Sequence, residues 1–432
     1  MLTFNAIRYE DDSFQERFNS YLDRKNQSSS EIAATVAKII LEVRTNGDSA
    51  LRSFTKDFDD FDCDNFLISQ QEFEQASDKV GHELIESLEY AFENISNYQS
   101  KCYESLNLEP SDDDIKRKFR VIDSVGMYIP GGQASYPSTV LMAAAPALAC
   151  GVRNISLTTP AQNGMLNSLT IAAAKVAGVN KIYKIGGAQA IAALALGTDQ
   201  VSKVDKIIGP GNAFVAEAKK QLFGEVGIDS IAGPSEIVIF ADDTSDPETI
   251  AWDLMAQSEH DSDASAVLIS SSDKLIDEVK KIINKEIVSL QRYQIIKDAI
   301  ESNGLFISIN DLGQAKEIIN KIAPEHLHIA FDHNHYEEED SLVAGLIMKG
   351  KDSAISLSDY VLGPSHILPT NSSSRFSSPL SVEDFLISYS YVSLNKNKDI
   401  NQFKEYVDHT SKIARAEGLT AHAIAAEKRL KI

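Results

Sequence analysis

The sequence has few cysteines and an excess of acidic over basic residues. Three of its 432 residues are cysteines, Cys63, Cys102 and Cys150, and they lie far apart. This small, odd number argues against a disulfide framework or a cysteine-rich metal site and predicts a protein of a reducing compartment. Lys and Arg number 41 against 63 Asp and Glu, which makes the formal net charge -22. A charge of this sign and size excludes nucleic acids and anionic membranes as expected partners.

The distribution of apolar and charged residues also predicts no segment for export or membrane insertion. The longest apolar runs, 139–152 and 188–197, are rich in Ala and too short to span a bilayer. The first twelve residues turn acidic without the basic and apolar regions of a secretory signal or transit peptide. We therefore expect a cytoplasmic protein. Its 43% hydrophobic residues and its length predict two or three globular folding units.

The spacing of apolar residues changes along the chain. Up to about residue 110 the spacing is mainly helical, as in 31–44 and 84–98. From residue 119 short β-like runs, the first at 120–128, alternate with Ala-rich helices, and glycines cluster where the strands end. Such alternation predicts parallel sheets covered on both faces, with ligands bound near those glycines. From residue 380 the chain is predicted to be helical again.

We therefore predict an α/β protein with two Rossmann-like α/β domains and helical arms at the N- and C-terminal ends. Both domains are incomplete in one respect, since neither contains the Gly-x-Gly-x-x-Gly fingerprint. The nearest match, 209–214, has two glycines and then Phe214 in place of the third. By itself this partial match is weak support for a dinucleotide site.

One predicted helix carries two polar side chains on its buried side. Asp246 fits the N-cap and Pro247 the first helical position. The apolar stripe of Ile250 and Leu254 continues onto Gln257, and His260 follows three residues later. An amide and an imidazole at this spacing form either half of a metal site or a hydrogen-bonded polar group in a core.

Three further places carry groups suited to chemistry. Glu325 and His326 follow Pro324 and form an adjacent pair for proton transfer. Asp359 lies at a predicted strand end, with His366 after the next turn. Glu417 precedes His422, which lies just past a predicted Thr420 helix cap. Each group alone is more often structural than catalytic. The spacing does not show whether Gln257, His260, Asp359 and His422 meet, but together they would suit Zn²⁺ with open positions for a ligand.

Seven short segments together resemble the histidinol dehydrogenase family. They occur in the family's order and span nearly the whole chain, at 125–132, 185–191, 209–212, 232–236, 257–260, 323–327 and 418–422. The resemblance implies oxidation of L-histidinol through L-histidinal to L-histidine, the last steps of histidine biosynthesis. It also implies one Zn²⁺ per subunit and NAD as the hydride acceptor in both oxidations.

The resemblance assigns a role to each matching residue. Glu325 and His326 match the acid/base pair, and Gln257, His260, Asp359 and His422 match the zinc ligands. The NAD contacts match Tyr128, Gln189 and Asn212. The substrate contacts match Ser235, Gln257, His260, His326, Asp359, Tyr360, His366, Glu417 and His422.

Domain boundaries and assembly are also implied. The N-terminal arm would cover 1–24, a discontinuous zinc-binding and catalytic domain 25–127 with 237–380, the NAD-binding domain 128–236, and the C-terminal arm 381–432. The family forms homodimers with intertwined arms, so Glu417 and His422 would act in the neighbouring subunit's site.

Other functions remain open from sequence alone. A related zinc- and NAD-dependent enzyme would oxidise another small primary alcohol. A zinc hydrolase would use Glu325 to activate water without a redox step, and a non-catalytic scaffold would need neither Glu325 nor His326. For the aldehyde step, Cys150 is an alternative nucleophile, although a buried structural thiol fits its Ala-rich surroundings better.

Overall fold

The computed structural model describes residues 2–24, 30–106, 114–131, 136–331 and 341–430. Its helices are α1 (Phe14–Arg24), α2 (Ser30–Asn46), α3 (Asp48–Asp59), α4 (Gln70–Ser77), α5 (His82–Ser105), α6 (Pro137–Ala149), α7 (Ser168–Val176), α8 (Gly187–Leu196), α9 (Ala213–Leu222), α10 (Pro247–Ser258), α11 (Asp273–Glu286), α12 (Tyr293–Asn303), α13 (Leu312–Ile322), α14 (Ile355–Tyr360), α15 (Ile400–Ala416) and α16 (Thr420–Lys428). Its strands are β1 (Ala6–Arg8), β2 (Ile115–Val121), β3 (Ser124–Tyr128), β4 (Asn154–Thr159), β5 (Lys181–Lys184), β6 (Lys206–Ile208), β7 (Gly227–Ile228), β8 (Glu236–Ala241), β9 (Ser265–Ser270), β10 (Leu305–Ser308), β11 (His326–Ile329), β12 (Leu346–Lys349) and β13 (Leu386–Val392).

The chain forms two compact units. The first comprises Met1–Ser105 with Val121–Leu386 and contains both large sheets. The second comprises Leu106–Arg120 with Ile387–Ile432. In the second unit α15 and α16 pack on each other, and the hydroxyl of Ser411 donates a hydrogen bond of 3.4 Å to the carbonyl of Ala423.

The larger sheet is parallel throughout and has the strand order β1-β10-β9-β8-β11-β12. Its central strands β8 and β9 are buried at every residue, as expected where helices cover both faces. Alternate residues enter different cores. Ile237 and Ile239 pack with α10, α11 and α12, whereas Val238 and Phe240 pack with α1 and α13.

The five-stranded sheet is also parallel and has the order β5-β4-β3-β6-β7. Its core includes residues of α2, α3, α8 and α9. Glycines follow three of its strands, at Gly131, Gly186 and Gly209. The α/β class with parallel sheets and helical segments near both ends is confirmed, whereas the division of the chain into functional domains stays a prediction.

Several local predictions were wrong. The single strand expected over 120–128 is two strands, β2 and β3, separated by Ile122 and Asp123. The expected helical arms each contain a strand, β1 and β13. Strand β1 is too short to give a signal, whereas the alternation of Ile387, Tyr389 and Tyr391 with serines in β13 is a strand pattern that the helical prediction passed over. Asp359 lies on helix α14 and not at a strand end, and Thr420 is the first residue of α16 and not its cap.

Helix α10 agrees closely with its prediction. Asp246 is the N-cap, and its side chain accepts a hydrogen bond of 3.0 Å from the backbone N–H of Glu248. Across the described ranges, no helix combines the length and the apolar character needed to cross a bilayer.

Candidate active site

The alternation of β11 points His326 towards helix α10. Leu327 and Ile329 enter the core on the α1 and α13 side of the sheet, so His326 faces the opposite side. The buried stripe of α10 includes Gln257, which is 2% exposed. The amide Nε2 of Gln257 and Nδ1 of His326 are therefore only 3.4 Å apart. Two residues from distant parts of the chain meet at the amino ends of β8 and β11.

Glu325 and His326 form a buried pair just before and at the start of β11. The C-cap of helix α13 is Ala323, whose left-handed conformation (φ 44°) turns the chain into Pro324. The carboxylate Oε2 of Glu325 accepts a hydrogen bond of 2.8 Å from the backbone N–H of Glu236 and lies 3.7 Å from Nδ1 of His326. Both side chains are almost inaccessible, with 9% exposure for Glu325 and 3% for His326.

Asp359 reaches the other side of the His326 ring from α14. Its Oδ1 lies 3.3 Å from Nε2 of His326. Its backbone carbonyl accepts a hydrogen bond of 2.8 Å from Nδ1 of His366, whose Nε2 lies 3.1 Å from the hydroxyl of Thr139. Thr139 belongs to the first turn of α6, which follows the carboxyl end of β3. This series of contacts, from His326 through Asp359 and His366 to Thr139, therefore connects the edges of the two large sheets.

Opposing effects set the protonation of these groups. Burial alone would lower the pKa of His326, but Glu325 and Asp359 outweigh it and raise the pKa to about 10. Burial opposes ionisation of Asp359, yet His326 lowers the pKa of that carboxyl below its usual value. Burial lowers the pKa of His366, which agrees with a neutral ring that donates from Nδ1 and accepts at Nε2. In the metal-free chain these effects favour a protonated His326 ring and a neutral His366 ring, one on each side of Asp359.

His260 follows the end of α10 and adds an imidazole to the nitrogen and oxygen donors of Gln257 and Asp359. Its backbone N–H donates to the carbonyl of Gln257 over 3.4 Å, and its ring is close enough to contribute to the lowered pKa of Asp359. A Gln oxygen, a His nitrogen and an Asp oxygen are a donor set that suits Zn²⁺. Among the described residues of a single chain, no group of three or more His, Cys, Asp or Glu side chains is arranged to hold a metal ion. The fit therefore depends on Gln257 and on a donor from elsewhere.

The predicted NAD contacts lie around the carboxyl edge of the five-stranded sheet. Tyr128 ends β3, and its hydroxyl accepts a hydrogen bond of 3.1 Å from the backbone N–H of Gly187. Burial raises the pKa of this hydroxyl to about 12. Gln189 is buried in the first turn of α8. Asn212 follows the end of β6 and caps α9, with its Oδ1 accepting from the N–H groups of Phe214 and Val215. The carboxyl edge is where parallel sheets bind nucleotides.

The remaining predicted residues differ in their exposure. Ser235 is half-buried just before β8, and Tyr360 is 55% exposed beside Asp359. Glu417 and His422 belong to the second unit, at the end of α15 and in the first turn of α16, and both are exposed there.

Comparison with known proteins identifies the family. The family model described as histidinol dehydrogenase matches residues 22–430. The chain belongs to the histidinol dehydrogenase family. Among curated histidinol dehydrogenases, that of Clostridium acetobutylicum is 44% identical over 96% of both chains, and that of Methanocaldococcus jannaschii is 40% identical over the full length of both. A crystal structure of histidinol dehydrogenase from Elizabethkingia anophelis superposes with a TM-score of 0.90 at 31% identity, covering 100% of this chain and 99% of that one.

Membership of the histidinol dehydrogenase family confirms the predicted reaction class. The chain is an oxidoreductase of histidine biosynthesis, and NAD dependence follows from the family.

Sequence reasoning did not single out Glu236 or Thr139. Glu236 contributes backbone groups, a donor to Glu325 and a carbonyl 3.3 Å from Nδ1 of His326. Backbone contacts leave no side-chain signal in a sequence. Thr139 is one hydroxyl in an Ala-rich helix, and only the tertiary structure places it beside His366.

Proposed function

We propose that this histidinol dehydrogenase oxidises L-histidinol to L-histidine through L-histidinal, with two molecules of NAD and one Zn²⁺ ion per subunit. The observation that supports this proposal most strongly is the position of His326. Its buried ring lies between the Glu325 and Asp359 carboxylates and beside the Gln257 amide. A proton acceptor, two carboxylates and an amide that could bind a metal ion therefore lie within one small buried site.

Zinc would be held by Gln257, His260 and Asp359 of one chain and by His422 of a second chain. When bound, Zn²⁺ would orient the imidazole and amine of the substrate, and NAD would accept the hydride. Ser235, Tyr360, His366 and Glu417 would complete the substrate site. Because both ring nitrogens of His366 already have partners, a substrate contact there would replace the one from Thr139.

His326 would remove the hydroxyl proton of the alcohol. For this step its Nε2 must be unprotonated, whereas the two carboxylates hold the pKa of the free ring near 10. Use of Asp359 as a metal ligand would offset part of the negative charge that raises this pKa, the larger part coming from Glu325. The ring would then become a better base at neutral pH. The side chain is 3% exposed, so it is largely shielded from bulk water.

Glu325 would act in the second oxidation by activating a water molecule that attacks the aldehyde. Its Oε2 is held by the backbone N–H of Glu236, which leaves Oε1 to accept a proton from water. Cys150 is not suited to the alternative covalent route. Its Sγ donates to the carbonyl of Val382 over 3.2 Å, and burial raises the pKa of the thiol to about 12.

NAD would bind at the carboxyl edge of the five-stranded sheet, in contact with Tyr128, Gln189 and Asn212. The contact between Thr139 and His366 supports this arrangement, since it joins that edge to the catalytic residues. A hydride acceptor at the edge would therefore be near a substrate held by His326 and Asp359.

The functional test measures NADH formed from a limiting amount of L-histidinol. The proposal expects two NADH per substrate, loss of activity on removal of the metal, and recovery when Zn²⁺ is added back. Metal content measured by mass spectrometry provides a readout independent of turnover. Formation of one NADH, or activity only with another small alcohol, would favour the related dehydrogenase. Product formation without NAD would favour a hydrolase.

The proposed homodimer is tested by mixing two inactive variants. His422→Ala lacks the metal ligand from the arm, and Asp359→Ala lacks one from the main site. If the arm serves the neighbouring subunit, a mixed dimer contains one intact site and recovers part of the activity. If each chain supplies its own His422, refolding the two variants together restores nothing.

A further inference from the structure

A buried ion pair lies behind the 209–212 turn, away from the catalytic residues. Lys219 of α9 and Asp229, just after β7, form a short ion pair whose side chains are only 2% and 4% exposed. Removing two charges from water is costly, and a buried ion pair is by itself weak support for a stabilising role. This pair therefore calls for a reason beyond stability.

Both members of the pair bind the backbone of Gly209. The Lys219 Nζ donates a hydrogen bond of 2.9 Å to the Gly209 carbonyl. The Gly209 N–H donates one of 2.7 Å to Oδ2 of Asp229. Both backbone polar groups of the first turn residue are thus held by charged side chains, which form stronger hydrogen bonds than neutral partners.

Gly209 in turn lies directly against Tyr128. Its φ of 108° is in the region that favours glycine, and a Cβ at this position would overlap the carbonyl oxygen of Tyr128. Asn212 follows three residues later and is the N-cap of α9, the helix that carries Lys219. The ion pair therefore fixes the position of one proposed NAD contact, Asn212, relative to another, Tyr128.

We propose that Lys219 and Asp229 are positioning residues that set the affinity for NAD by holding the 209–212 turn against β3. This inference rests on the proposed NAD contacts. The two side chains are too buried to touch the cofactor themselves, so they act through Gly209. An effect on NAD without a matching effect on L-histidinol distinguishes this role from a general stabilising one.

The test compares kinetic constants of the holoenzyme and two variants. Lys219→Met removes the cation. The double variant Lys219→Met/Asp229→Leu removes both charges and fills their space with apolar side chains of similar size. Replacing a buried pair by apolar groups is often neutral for stability. In both variants we expect the KM for NAD to rise about tenfold or more, because Gly209 loses charged hydrogen-bond partners. The KM for L-histidinol and kcat at saturating NAD should change by less than about threefold.

Lys206→Met is the matched control, because it removes the cation of another ion pair on β6, the strand that leads to Gly209. Lys206 starts β6, at the end opposite Gly209, and pairs with Asp384 at 2.6 Å. This variant should lower the melting temperature and leave the KM for NAD unchanged. Because KM does not depend on the folded fraction, partial unfolding of any variant cannot imitate the expected result.

Three outcomes would overturn the inference: an unchanged KM for NAD in the double variant, an equal rise in both KM values, or the same rise in Lys206→Met. Failure of the proposed function would look different, because the unmodified enzyme would then not reduce NAD with L-histidinol.

Discussion

Replacing Glu325 by Gln separates the two oxidations. The amide keeps an oxygen that can accept the hydrogen bond from the Glu236 N–H, now 2.8 Å from Oε2, and it keeps the size of the side chain. The variant is therefore expected to fold, at a cost of about 1–2 kcal/mol for the loss of a charge-assisted hydrogen bond. What it lacks is a group that can accept a proton from water.

The magnitude follows from the role of Glu325 as a general base. Loss of such a base typically lowers a rate by about 10²–10⁴-fold, so the oxidation of L-histidinal should fall by that factor. The oxidation of L-histidinol should fall much less, because His326 remains. Glu325 is also the main group that raises the pKa of His326, so in the variant this pKa should be lower.

The assay supplies L-histidinol and L-histidinal separately and follows NADH under single-turnover conditions. His326→Asn is the companion variant and should lose both oxidations. Glu317→Gln is a control for the chemical change alone, since that carboxylate accepts a hydrogen bond from Tyr9 on the surface. Equal losses in both half-reactions of Glu325→Gln would refute the assigned roles.

Three further predictions test parts of the structure. Cys150→Ser should retain both oxidations. The native Cys150 thiol should react slowly with thiol reagents at pH values below its pKa of about 12, and rapid modification of Cys150 at neutral pH would contradict this. Asp246→Ala should lower the free energy of unfolding by about 1 kcal/mol in urea titrations, through loss of the α10 cap, with no change in metal content. In metal-free protein, the proton on His326 is bound more tightly in the folded than in the unfolded state. Its contribution to stability is therefore complete below pH 6.5 and is lost as the pH rises towards about 10. The stability difference between native protein and His326→Asn should shrink over this pH range; a constant difference would show that the ring is not held charged.

Several features could be predicted from neighbouring residues alone. The cap and the buried stripe of α10 follow from Asp246, Pro247 and apolar residues spaced by four, and these signals act within one helix. The α/β class follows from glycines after apolar strands. The adjacency of Glu325 and His326 is covalent and needs no fold. The order of seven motifs identified the family.

The approach of Gln257 to His326 was decided only by the tertiary structure. Gln257 and His326 lie 69 residues apart in the sequence, and the register of β11 on β8 determines which face His326 occupies. A shift of that register by one residue would turn the ring to the opposite core. The hydrogen bonds of Lys219 and Asp229 with Gly209 were likewise decided only by the tertiary structure. They involve the backbone of Gly209, and a backbone hydrogen bond can be made by almost any residue type. Spacing along a chain reports which side chains share one helix or strand, whereas contacts between elements depend on packing and pairing that many sequences satisfy in different ways.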